Sequence, residues 1–207
     1  MTQRTDYTSD EWTLLTETIQ LVGLGMLAVS PGGPTGKQRK LRVLSSCMTP
    51  SAVPLRFKRH ALVRALLEDA SGQAFRRSAY PARGDVSTLM VALADAQRRM
   101  LASCERVADL LASRTPAHEA KAAKRWLLWV ATTVAEASGR RWLRTRRKAS
   151  AEEVSLLDQL ATSLDIALIV DAPTPSELET LLGLTPLTAD VASACNDGQE
   201  HRFPTGA

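Results

Sequence analysis

The side chains best suited to recognition are crowded into nine residues. Arg140, Arg141, Arg144, Arg146, Arg147 and Lys148 place six cations between positions 140 and 148, with Trp142 among them. Guanidinium and ammonium groups at this density can contact phosphates while an indole stacks or inserts. The same charges suit an acidic protein surface. These seven residues form the candidate partner-binding set. Arg56, Lys58, Arg59 and His60 form a second basic run, expected to add to the same face. A third possibility is a solvated loop balanced by the acidic end of the chain.

The other reactive residue types do not assemble into a reaction. Residues 31–38 read PGGPTGKQ. A phosphate-binding P-loop needs Gly, four residues, then Gly-Lys-Ser/Thr, and follows a strand. Here Pro31 and Gln38 stand at the two ends, and the run follows a helical pattern, so a rigid interhelical turn is the simpler reading. His60, His118 and His201 lie in different elements without ligand-like spacing. Cys47, Cys104 and Cys195 are odd in number and widely spaced, with no CxxC, which argues against a disulfide framework or a zinc site. A nucleophilic cysteine needs a paired base, and Cys47 and Cys104 sit on apolar faces. The pair Glu152-Glu153 is explained by helix capping rather than acid–base work. No catalytic, cofactor-binding or metal-ligating residue is expected, and the chain is read as not an enzyme.

The charge layout sharpens this reading. The net charge of +4 conceals a segregation. Residues 36–64 carry eight basic side chains and no acid; 121–148 carry nine against Glu136 alone; 149–207 carry ten acids against Arg202 alone. Such local excess governs partner choice more than the total does. The most apolar run, Leu21–Val29, is too short for a bilayer, which needs roughly 20 residues. The first residues are polar and acidic, unlike a signal peptide. With the unpaired cysteines, this predicts a cytoplasmic protein.

These residues must be held by helices. Aromatics make up only 4% of the chain, so the core is mostly Leu, Val and Ala, which favours helices over a sheet. Trp12, Leu15, Ile19, Val22 and Met26 recur at helical spacing, with Ser9 as the expected cap and a stop at residues 30–34. Thr35 and Gln38 fit a capping box for a second helix ending near Cys47. Pro54 opens a third, running past Leu66 to Ala70. Asp85 is placed to cap the longest helix, over about 86–114. Thr115-Pro116 opens a markedly apolar helix ending at Ser138-Gly139, with Trp129 expected between the long helix and the one after it. Ser150 and Glu153 form a capping box, with Val154, Leu157, Leu160 and Leu164 following. Residues 166–170 fit either helix or strand. Thr174–Glu177 would open a further short helix. The expected architecture is all-α: a single bundle of about seven helices around two helix–loop–helix hairpins. The helical domain spans 9–194, with loose ends at 1–8 and 195–207.

The runs LLTETIQLVGLGMLAVSPGGPTGKQRKLRVL and WLLWVATTVAEASG, followed by SAEEVSLLDQLATSL, resemble the two hairpins of tellurite-resistance protein B-like domains. LETLLGLTPL resembles a closing segment found after such domains. The resemblance implies an all-helical, stress- or complex-associated protein. Some members of that family bind a divalent metal through acids in the hairpin loops. This chain has no acid between Ala137 and Ala151, nor between Glu17 and Glu68. Hard cations need several carboxylate or carbonyl oxygens, so no metal site carries over. The expected function is a non-enzymatic binding or scaffold module that meets an acidic protein through its basic hairpin loop. The alternative is a nucleic-acid-binding regulator that meets phosphates with residues 140–148.

Overall fold

A computed structural model describes residues 3–30, 33–70, 86–137 and 149–167. They form a short 3-10 turn, Arg4–Asp6, and seven α-helices: α1 Ser9–Ala28, α2 Pro34–Cys47, α3 Leu55–Lys58, α4 Ala61–Asp69, α5 Val86–Arg114, α6 Ala117–Glu136 and α7 Ala151–Ser163. The described residues contain no strand, and the fold is an all-α bundle. The expected short helix after 174 and the tail at 195–207 lie outside the described residues.

Local chemistry sets most helix ends. α1 begins where Thr8, one residue before the expected Ser9, closes a capping box. Its hydroxyl accepts from the Glu11 N–H at 3.2 Å, and the Glu11 carboxylate accepts from the Thr8 N–H at 2.8 Å. α2 starts with Pro34 in its first turn behind Gly33. Proline's fixed φ suits that position, and the helix begins one residue before the expected cap, Thr35. α7 opens with the Ser150–Glu153 box anticipated from sequence. It closes at Leu164 through a left-handed Asp165, φ 51°. Ile166 N–H reaches Ala161 O at 3.1 Å, and Asp165 N–H reaches Thr162 O at 2.9 Å. This paired reversal is a Schellman stop. It settles Ile166 as non-helical, while 168–170 lie outside the described residues.

α6 is the central helix. Fifteen of its twenty residues are buried, including every one from Trp126 to Ala135, so it has neighbours on nearly all sides. It packs against α1, α2, α4 and α7. Thr132 and Thr133 enter this apolar setting because their hydroxyls donate to the carbonyls of Leu128 and Trp129, at 2.9 and 2.7 Å. Trp129 is buried as expected, but its ring partner is Phe57 of α3, with centroids 5.9 Å apart. The indole N–H groups of Trp126 and Trp129 find no hydrogen-bond acceptor among the described residues.

α1 lies antiparallel along α5. Glu11 meets Arg114 at 3.3 Å at one end, and Gly25 meets Met100 further along. A Cβ on Gly25 would stand 2.6 Å from the Met100 sulfur, and one on Gly23 2.1 Å from a Leu44 methyl. Hydrogen-only side chains are what let α5 and α2 approach α1 so closely.

Two further expectations are corrected. The loose arm at 1–8 is docked over its described part: Tyr7 is buried, stacks obliquely on Trp12 at 5.8 Å, and shares a 2.6 Å hydrogen bond with Thr115. The single helix expected over 54–70 is two helices, broken at Arg59-His60. The break has a physical cause in α6.

Candidate functional site

All seven candidate partner-binding residues, Arg140, Arg141, Trp142, Arg144, Arg146, Arg147 and Lys148, lie outside the described residues. The frame that holds this segment is described. α6 delivers the chain at the buried Ala137, and the Ser150 box takes it up again at Ala149–Ser150.

Between these two anchors sits a buried ion pair that joins three helices. Lys40 of α2 is fully buried and Glu153 of α7 nearly so, with side-chain exposures of 0% and 2%. The Lys40 ammonium donates to Glu153 Oε1 and, at 3.1 Å, to the carbonyl of Ala135 in the last turn of α6. The last carbonyls of a helix lack intrahelical donors and carry its negative dipole end, so a cation is well placed there. The other Glu153 oxygen accepts from the Ser150 N–H at 2.8 Å. Every polar group in the node therefore has a partner. Desolvation pulls the Lys40 ammonium below lysine's usual range, and Glu153 opposes the shift without cancelling it.

The node has a geometric consequence. It brings the first half of α2 against the C-terminal end of α6 and the N-terminal end of α7. The described ends that flank the second hairpin's bend, Ala137 and Ala149, thus lie against α2. Lys37 and Arg39 stand within one turn of Lys40 on the same helix, beside the two anchors of the basic segment.

The second basic run meets the other end of α6. The His60 ring lies 6.4 Å from that of His118, in the first turn of α6. From there to Ala135 the helix rises about 26 Å at 1.5 Å per residue. Arg59 and His60 therefore sit near the N-terminal end of α6, the end away from Ala137; whether they share a face with residues 140–148 falls outside the described residues. Glu119 is what holds them there. Its two oxygens accept from the N–H groups of Ala61 and Leu62 at 3.1 and 3.0 Å. Those are orphan donors of a helix start, and a buried carboxylate supplied by α6 caps them. This contact starts α4 afresh and breaks the run at His60. His60 and His118 flank the same carboxylate, at 3.8 and 3.7 Å from Oε1.

The described thiols have no reactive setting. Cys47 and Cys104 are buried; burial pushes the Cys47 thiol far up and that of Cys104 up to about 12. Thiolate, the nucleophilic form, is negligible at neutral pH in such a setting. Among the described residues no group of three or more His, Cys, Asp or Glu could hold a metal ion, and no helix is long and apolar enough to cross a membrane. Sequence reasoning missed Lys40 and Glu119 as buried partners. For Glu153 the capping box was a visible signal, but its second role was not. No family model, curated protein or solved structure matches the chain.

Proposed function

We propose that the chain is a non-catalytic, cytoplasmic binding module whose basic segment 140–148 engages an acidic protein partner. The observation that carries this reading is the Lys40–Glu153–Ala135 node. It fixes both anchors of the segment in a rigid frame and sets the basic first half of α2 beside them. A charged loop on a rigid scaffold is a common way to build a recognition surface. The protonated, buried thiols fit a role without covalent chemistry.

The sequence of the segment also favours a second reading. Trp142 amid six cations suits phosphate contact with base stacking. Salt separates the two readings. Capture of a given protein that persists as salt rises supports a protein partner, whereas steeply salt-dependent binding to generic DNA or RNA supports the nucleic-acid reading. The deciding variant replaces Arg144, Arg146 and Arg147 by Ser. Surface changes of this kind usually move stability by less than about 0.5 kcal/mol, so the variant is expected to fold normally and lose its partner. A variant that folds normally and retains every partner of the wild type, protein and nucleic acid, refutes both readings.

A further inference from the structure

At the other end of α6 the burial pattern leaves a narrow stripe facing solvent. Residues 119, 120, 122–124 and 126–135 are buried; His118 and Lys121 are exposed and Arg125 half-buried. These three share one helical face, at spacings of three and four residues. They form a straight row of basic side chains about 10 Å long at 1.5 Å per residue. Arg59 extends the row from α3: its Nε lies 3.4 Å from His60 Nε2, and the His60 ring neighbours that of His118. Arg64 stands exposed one turn beyond His60 on α4.

Acids are sparse in the sequence around these residues. Glu119 is the only acid between Asp109 and Glu136, and none lies between Glu17 and Glu68. Both Glu119 oxygens are committed to the start of α4. On α6 the usual way of neutralising a basic helical face, acids three or four residues away on the same helix, is missing from this stripe, whereas on α4 Glu68 stands four residues after Arg64.

We propose that the stripe His118–Lys121–Arg125, extended by Arg59, is a docking surface for the phosphodiester backbone of nucleic acid. Two features favour a phosphate backbone over an acidic polypeptide. The row is rigid and regularly spaced on a helix that the core immobilises, which suits a regular array of phosphate charges. Protein interfaces also need an apolar or aromatic centre. The exposed large hydrophobics among the described residues are Leu55 and Val154; neither lies on α6, and the one near the row, Leu55, stands at its edge, one turn before Arg59. Contacts of this kind position a duplex without reading its bases, so binding is sequence-independent. The proposal does not depend on the reading of residues 140–148, because none of its residues belongs to that segment.

The test uses the full chain and a generic duplex DNA, with affinity measured across a salt series. The stripe variant carries Lys121→Ser and Arg125→Ser. A charge-matched control carries Arg98→Ser and Arg106→Ser on α5, and a third protein carries the triple Ser change in 140–148. Circular dichroism and thermal melting confirm that each is folded. Each lost phosphate contact lowers the slope of log K against log salt by about 0.9. The stripe variant is therefore expected to bind more weakly and lose nearly 2 from the slope, while the control keeps the wild-type slope. Retained slope loss in the stripe variant, whatever the triple variant does, assigns this surface independently of the loop. Three results overturn the proposal: no duplex binding by the wild type at low salt, an unchanged slope in the folded stripe variant, or an equal loss in the control, which would make net charge the cause.

Discussion

Replacing Lys40 by Met tests whether the buried node holds the two hairpins together. Methionine fits the lysine stem but removes the ammonium. It would leave the Glu153 carboxylate, 2% exposed, facing apolar surroundings, and the Ala135 carbonyl without its donor. Removing one partner of a buried pair typically costs about 3–5 kcal/mol, because the remaining charge is uncompensated. For a chain of this size each kcal/mol moves the melting temperature by roughly 2–4 °C, so a fall of at least about 6 °C is expected. Adding Glu153→Gln removes the stranded charge while keeping an acceptor for the Ser150 N–H, since Gln also serves in a capping box. The double variant should therefore be more stable than Lys40→Met alone, although it carries one more change. Urea unfolding followed by circular dichroism measures both. A Lys40→Met protein within about 0.5 kcal/mol of wild type, the range of ordinary surface changes, would refute the node. So would a double variant whose loss equals the sum of the two singles, since independent sites add.

Glu119→Ala should destabilise the fold by about 2–3 kcal/mol, because it strips a charged acceptor from two helix-start N–H groups. Glu119→Gln, which keeps one acceptor oxygen, should recover part of that, and hydrogen exchange at Ala61 and Leu62 reports the loss directly; unchanged protection there would sink the capping argument. Asp165→Gly should stabilise by about 0.5–1 kcal/mol. Relief of the left-handed backbone, worth about 1–2 kcal/mol, outweighs the entropy that glycine adds to the unfolded chain. A lower urea midpoint for Asp165→Gly would contradict the Schellman assignment.

Much of the fold could be read in advance where the determinants are local. The bounds of α5 at 86–114 and the opening of α7 at Ser150 follow from apolar spacing and a capping box, which involve neighbours within one or two turns. The burial of α6 could be read from its apolar run. What escaped prediction depends on contacts between distant residues. The break at His60 is imposed by Glu119, 58 positions from Ala61, and nothing in residues 54–70 announces it. Lys40 looks in sequence like one more cation on a solvated helix. Only the third dimension shows that it points between α6 and α7. The docking of Tyr7 onto Thr115 spans 108 positions and was illegible for the same reason. Of the candidate site, the residues were legible in the sequence, and the described structure adds the frame on either side of them.

The carboxylate of Glu119 also bears on the order in which the chain is built. α4 leaves the ribosome well before the residue that defines its first turn. Until α6 is made and docked, residues 54–70 have only their own preferences, and those favour a single unbroken helix. The nascent chain is then expected to hold this stretch in a form that the finished protein does not keep. The kink at His60 would appear late, as a result of assembly rather than a step toward it. Closing the bundle would thus rewrite a segment that had already been synthesised, and the timing of that change would follow the arrival of a single side chain.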